Sequence, residues 1–186
     1  MTQPSPMRHC STTGLVTPAT FIQSPNCDNR PADACPEAII IHCISLPPGE
    51  YQNNNVIDFF TNNLNITQHE YFSEISHLTV SAHFFIQRNG NLIQFVPTHL
   101  RAWHAGESMC LERPAVNNFS IGIELEGIDT DADGYMDTQY ETLTTLISCL
   151  KSSYPLIDAR NIFAHSDIAP ERKTDPGQYF DWGRVF

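Results

Sequence analysis

The sequence predicts a single α/β domain, and three observations carry that prediction. Two short continuous apolar runs, at residues 37–43 and 161–164, have the character of strands buried on both faces. Asn89-Gly90 separates two further β-prone runs and marks a hairpin. From Asp137 onward the apolar period changes from two to about 3.6 residues, the mark of an amphipathic helix. Parallel-capable strands, a hairpin and helices in one chain make an α/β arrangement.

In chain order, residues 1–35 are rich in Pro, Ser, Thr and Asn with little periodicity. They are expected to form an irregular lead-in, with 36–186 as the domain proper. The first apolar run stops at Ser45-Leu46-Pro47-Pro48-Gly49, which places His42 at the C-terminal end of a strand. In open α/β sheets, ligands gather at that edge. Residues 56–60 read as a helical turn or two, and the polar stretch 61–70 as loop. Residues 81–87 and 92–96 are the hairpin strands, ended by Pro97, and Trp103 and His104 follow in a loop. Residues 119–127 alternate: Ile121, Ile123 and Leu125 point one way, Gly122, Glu124 and Glu126 the other. Thr138 and Glu141 form a capping-box pair for a helix whose stripe is Tyr140, Leu143, Leu146, Ile147 and Leu150. Pro155 stops it. The last buried run feeds the segment 165–177, where Pro170, Pro176 and Gly177 prevent a continuing helix or strand. Residues 181–186 begin a further helix.

Composition excludes several partners. The chain has 186 residues with a formal net charge of −11, and 41% of it is apolar. No basic stripe is present for a phosphate backbone, so nucleic acid is excluded, as is docking on anionic lipid. No run approaches the ~18 apolar residues of a spanning helix. Met1 to Ala19 lacks the apolar core of an export signal, so a cytoplasmic protein with reduced cysteines is expected. A monomer is expected as well.

The residues that can carry chemistry are few. His42 and His165 both close apolar strands and can converge if those strands are neighbours, and Asp175 can reach back to them from its loop. Two imidazoles, a carboxylate and an open position suit a catalytic zinc. Lys173 stands beside that set. Glu124 and Glu126 share a face with Gly122, and a carboxylate in a buried strand must be paired or functional. Periodicity does not choose between them. His83 and His104 have the chemistry of ligands, and His104 also suits a substrate contact. Asp129-Thr130-Asp131-Ala132-Asp133-Gly134 resembles the start of a calcium loop, but Tyr140 stands where the pattern requires Glu. An acidic turn is expected there.

Several stretches together resemble a known family. They are Ile40-Ile41-His42 with Ile44-Ser45-Leu46-Pro47-Pro48-Gly49-Glu50, Val80-Ser81-Ala82-His83, Arg101-Ala102-Trp103-His104-Ala105-Gly106, residues 118–127 and residues 168–177. They look like the N-acetylmuramoyl-L-alanine amidase (amidase_2) family, zinc enzymes that cut the lactyl–alanine amide of peptidoglycan. Pro47-Pro48-Gly49-Glu50 and residues 169–177 are similar to the branch that acts on 1,6-anhydro-muropeptides in cytoplasmic wall recycling. The resemblance implies a central mixed β-sheet flanked by helices. It implies zinc on His42, His165 and Asp175, water activation by Glu124 rather than Glu126, and Lys173 facing the developing oxyanion. It also implies a muropeptide substrate in a groove lined by Phe60, Tyr71 and Trp103. Cys43 and Thr79 depart from the family pattern, and both fall where the anhydro-sugar is expected. Cys43 is not expected as a fourth ligand, since neighbouring strand residues face opposite ways. The competing function is a non-catalytic muropeptide-binding module of the same fold. Such modules typically lack one ligand, whereas this chain has all three.

Overall fold

The fold is built on one six-stranded mixed sheet, whose strands follow from the apolar runs. The computed structural model describes residues 6–186. Four short strands come first: β1 (Arg8–Cys10), β2 (Leu15–Thr17), β3 (Thr20–Phe21) and β4 (Cys27–Asn29). β5 (Ala38–Ile44) follows, then helices α1 (Asn55–Phe60) and α2 (Glu70–Ile75). The hairpin is β6 (Phe84–Ile86) and β7 (Leu92–Gln94). Next come β8 (Leu100–Ala102), β9 (Met109–Cys110), β10 (Arg113–Pro114) and β11 (Ser120–Glu126). Helix α3 (Asp137–Ser153), strand β12 (Ile162–Ala164) and the short helix α4 (His165–Ile168) complete the domain. The sheet order is β12-β5-β11-β6-β7-β3. β5 runs parallel to both β11 and β12, while β6 and β7 pair antiparallel. This is the mixed sheet flanked by helices that the sequence implied. No helix among the described residues is long and apolar enough to cross a membrane.

The two sheet faces have different fates, which follow from strand alternation. Ile39, Ile41, Ile121, Ile123 and Leu125 pack against the α3 stripe of Tyr140, Leu143, Leu146, Ile147 and Leu150. Each such side chain contributes roughly 1.5–3 kcal/mol by leaving water. The opposite face carries Ile40, His42, Gly122, Glu124 and Glu126, and among the described residues short helices, short strands and loops cover it. That incomplete cover leaves room for a site.

Some local expectations are corrected. Among the described residues the lead-in is not wholly irregular: β3 joins the main sheet beside β7, and β4 pairs with β8. Short edge strands of polar residues carry too little apolar periodicity to be read in advance. Arg30, at the end of this lead-in, is buried and donates to the carbonyls of Thr98, Asn117, Asn118 and Ser120. Burial pulls its pKa down to about 10, so it remains a cation at neutral pH. α2 was not anticipated; His69 caps it by accepting from the Tyr71 N–H at 3.1 Å. The hairpin turn is a three-residue loop, Arg88-Asn89-Gly90, closed by Gln87 N–H to Asn91 C=O at 3.0 Å. Gly90 takes the left-handed conformation there (φ 84°). At the start of α3 the cap is Gln139, whose Oε1 accepts from the Met136 N–H, and not the Thr138/Glu141 pair. Thr138 instead donates to Arg88 C=O, tying the helix to the hairpin. The last residues form a short 3-10 turn, Trp182–Arg184, in place of an α-helix.

Candidate active site

Strand register brings the polar residues together. In the parallel pairing of β5 with β11, His42 and Glu124 are register partners and share the face away from α3. In the pairing of β12 with β5, Ala164 is opposite Ile41, so His165, one residue on, emerges beside His42. The loop after α4 then returns, and the Ser166 N–H donates to Asp175 C=O at 3.0 Å. The side chains of His42, His165 and Asp175 converge. His42 Nδ1 is 2.9 Å from His165 Nδ1, and Asp175 Oδ2 is 3.0 Å from His165 Nδ1 and 3.3 Å from His42 Nδ1.

The chemistry of this donor set fits a metal cation. His165 Nε2 is 3.3 Å from Ala105 C=O, which can only accept, so its proton sits on Nε2 and Nδ1 presents a lone pair. The carboxylate has only lone pairs to offer. Three electron-pair donors this close need a shared proton or a bound cation between them. Tetrahedral zinc with bonds near 2.0 Å sets its ligand atoms about 3.3 Å apart, close to the spacing seen. Cys43 is not part of this group, the one cluster of this kind among the described residues.

Burial sets the protonation states. It pulls the His42 pKa down to about 4, against the opposing pull of the Asp175 carboxylate. His83 and His104 are likewise held well below the ordinary range, by burial first. Burial alone would raise the Asp175 carboxyl, but the neighbouring imidazoles of His165 and His42 outweigh it and hold the carboxyl below the usual carboxylate range. Glu124 is pushed well above its ordinary value, by burial first and by Asp175 second. Its Oε2 is buried and has no hydrogen-bond partner among the described residues.

These shifts make a prediction for the metal-free protein. A histidine whose folded pKa lies below its unfolded value lets the unfolded chain bind the proton first. Stability therefore falls as pH drops through 6.5 and levels off near 4 for His42, a loss on the order of 3 kcal/mol from that residue. Glu124 works the other way: its raised folded pKa costs stability as pH rises through 4.5. Urea midpoints at pH 7, 5.5 and 4.5 should fall in that order, and a flat series would contradict the burial of neutral histidines.

Glu126 has a different job from Glu124. Its carboxylate accepts from the Gln52 N–H at 2.6 Å and from the Arg88 N–H at 2.8 Å, joining the loop after β5 to the hairpin. The acidic turn after β11 is also committed to the protein: Asp131 accepts from Tyr51 and Asp129 from Thr174.

A cavity of about 480 Å³ opens over the cluster, with His42, His165, Asp175, Glu124 and Lys173 on its floor and sides. Phe60 and Tyr71 line its apolar wall, together with Phe59, Ile75, Leu78 and Val80, which had not been singled out. α2 carries Tyr71 and Ile75 of this wall, so missing the helix meant missing Ile75. Among the described residues, no carboxylate lies within 4.0 Å of the Lys173 ammonium. Two expected groove residues are placed otherwise. Trp103 does not line the cavity, because its indole N–H donates to Asp28, which also binds Arg101. His104 borders the cavity, but its nitrogens face His42 Nε2 at 2.9 Å and Ser120 Oγ at 3.1 Å, leaving none for a substrate. His83 is committed as well: its Nδ1 is 3.0 Å from the Gly122 N, and its Nε2 lies 3.1 Å from Leu100 C=O and 3.0 Å from Arg30 Nη2.

Comparison with known proteins gives the family. The profile of the Amidase_2 family, N-acetylmuramoyl-L-alanine amidase, matches residues 31–178, most of the chain. The chain belongs to that amidase family. It is therefore a hydrolase by family, and relatives and solved structures narrow the likeness. The 1,6-anhydro-N-acetylmuramyl-L-alanine amidase AmpD of Enterobacter cloacae is 49% identical over 171 residues, covering 92% of this chain and 90% of that one. A crystal structure of a selenomethionine derivative of AmpD superimposes with a TM-score of 0.89 at 47% identity, covering 93% of this chain and 95% of that one. The amidase AmiD of Escherichia coli, solved with anhydro-N-acetylmuramic acid-L-Ala-D-γ-Glu-L-Lys, matches at TM-score 0.58 and 28% identity. That alignment covers 84% of this chain and 59% of AmiD.

Proposed function

We propose that this amidase hydrolyses the amide between the lactyl group of 1,6-anhydro-N-acetylmuramic acid and L-alanine of the stem peptide. It would do so with zinc held by His42, His165 and Asp175, in cytoplasmic peptidoglycan recycling. The observation that carries this reading is the convergence of three lone-pair donors beside a buried glutamate oxygen that lacks a partner. Zinc there would polarise the amide carbonyl and bring the pKa of water toward neutrality. The rest of the chemistry falls to the chain. Glu124, with its raised pKa, accepts the proton of the attacking water and delivers it to the leaving L-alanine amine. The Lys173 ammonium faces the negative charge that develops on the carbonyl oxygen. Phe60 and Tyr71 offer apolar surface to the sugar and peptide. The named substrates of AmpD and AmiD support the choice of ligand.

The deciding experiment compares release of free peptide from an anhydro-muropeptide and from polymeric peptidoglycan, together with zinc content. Rapid cleavage of the soluble substrate by zinc-loaded protein is expected, with little action on polymer. Binding of the muropeptide without peptide release would instead support a recognition module.

A further inference from the structure

His104-Ala105 lies behind both imidazoles of the cluster and meets each by a different route. The direction of the hydrogen bonds can be assigned from the far end. Val116 C=O can only accept, so the Ser120 hydroxyl donates its single proton there, at 2.7 Å. Ser120 Oγ therefore accepts from His104 Nε2 at 3.1 Å, which leaves His104 Nδ1 unprotonated. His42 Nε2 stands 2.9 Å from that acceptor. His42 thus carries its proton on Nε2 and turns a bare Nδ1 toward His165 and Asp175. Ala105 does the same for His165 through its backbone carbonyl. One anchor holds both: Asn117 Oδ1 accepts from the N–H groups of His104 at 3.2 Å and Ala105 at 2.8 Å. The His104 ring is seated where β11 has no side chain, since a Cβ on Gly122 would stand 2.4 Å from His104 Cγ.

We propose that His104 is a positioning residue for the metal site. Backed by Ser120 and the Val116 carbonyl, it holds His42 as the Nε2–H tautomer, so that Nδ1 is the nitrogen offered to the metal. The inference rests on the zinc reading above and extends it to a residue expected from sequence to touch substrate. An imidazole ligand whose other nitrogen is hydrogen-bonded has its tautomer and ring orientation set, and losing such a partner costs 10–100-fold in metal affinity.

The test measures zinc affinity by chelator competition on the full chain for the parent, His104→Phe, His104→Asn and Ser120→Ala. His104→Phe should bind zinc about 10–100-fold more weakly. His104→Asn keeps an acceptor near the position of Nδ1 and should recover most of the loss, which a purely space-filling role would not give. Ser120→Ala should show a smaller loss in the same direction. Nitrogen NMR of the zinc-loaded parent should show the His42 proton on Nε2. The proposal is overturned if His104→Phe binds zinc like the parent, or if His104→Asn is no better than a folded His104→Phe. Should His104→Phe not fold, the parent's tautomer decides, and a His42 proton on Nδ1 overturns the proposal. A parent that takes up no zinc sinks the metal reading as well; a parent that binds zinc, with unmoved variants, sinks this inference alone.

Discussion

Glu124→Gln is expected to keep zinc, to lose turnover by a factor of about 10²–10⁴, and to gain stability. The first two effects follow from its place: Glu124 is outside the ligand cluster, so its removal leaves His42, His165 and Asp175 intact. Gln cannot take a proton from water or return one to the leaving amine. The third effect comes from burial. Folding must either protonate the Glu124 carboxyl or bury its charge with Oε2 unpartnered, and both cost free energy. An amide avoids the ionic part of that cost, so metal-free Glu124→Gln should be more stable by on the order of 1–3 kcal/mol at neutral pH. At this chain length that is roughly 2–12 °C in melting temperature. The fall in stability toward acid should also steepen, because Glu124 no longer offsets the histidines. Near-parental peptide release by purified Glu124→Gln would remove Glu124 from the mechanism.

Asp175→Ala is expected to abolish zinc retention. It removes one of three ligands and the only negative charge of the set, so its cost should exceed the 10–100-fold typical of outer contacts. The effect can be read without activity. Zinc at about a thousand times its Kd should stabilise the parent by about 4 kcal/mol, or roughly 8–16 °C at this size. The variant should lose that shift at the same zinc concentration. A parental zinc-induced shift in Asp175→Ala would exclude Asp175 as a ligand.

Much of the scaffold was legible because its signals are local. The apolar runs of β5 and β12, the alternation of β11 and the stripe of α3 each announce themselves within a dozen residues. Weak local signals failed. β3 and β4 are two- and three-residue strands that depend on distant partners, β3 on β7 at the edge of the main sheet and β4 on β8, and α2 is a six-residue helix. Gln139 displaced the expected capping pair because its amide also donates to the carbonyls of Ile86 and Glu126. Tertiary contacts chose the cap.

The site divides the same way. Sequence by itself determined the α/β class, the residue types able to carry hydrolytic chemistry, and the strand ends that present them. Periodicity alone left Glu124 and Glu126 equivalent, since both project from the same face of β11. Tertiary structure sets them apart, because Glu126 is held by the N–H groups of Gln52 and Arg88, brought from distant loops, whereas Glu124 borders the cavity. It also moved Trp103 out of the groove to Asp28 and set His104 behind His42 rather than in front of a substrate. Those choices depend on which hydrogen-bond partner reaches a side chain first. That is a matter of three-dimensional distance, which spacing along the chain does not encode.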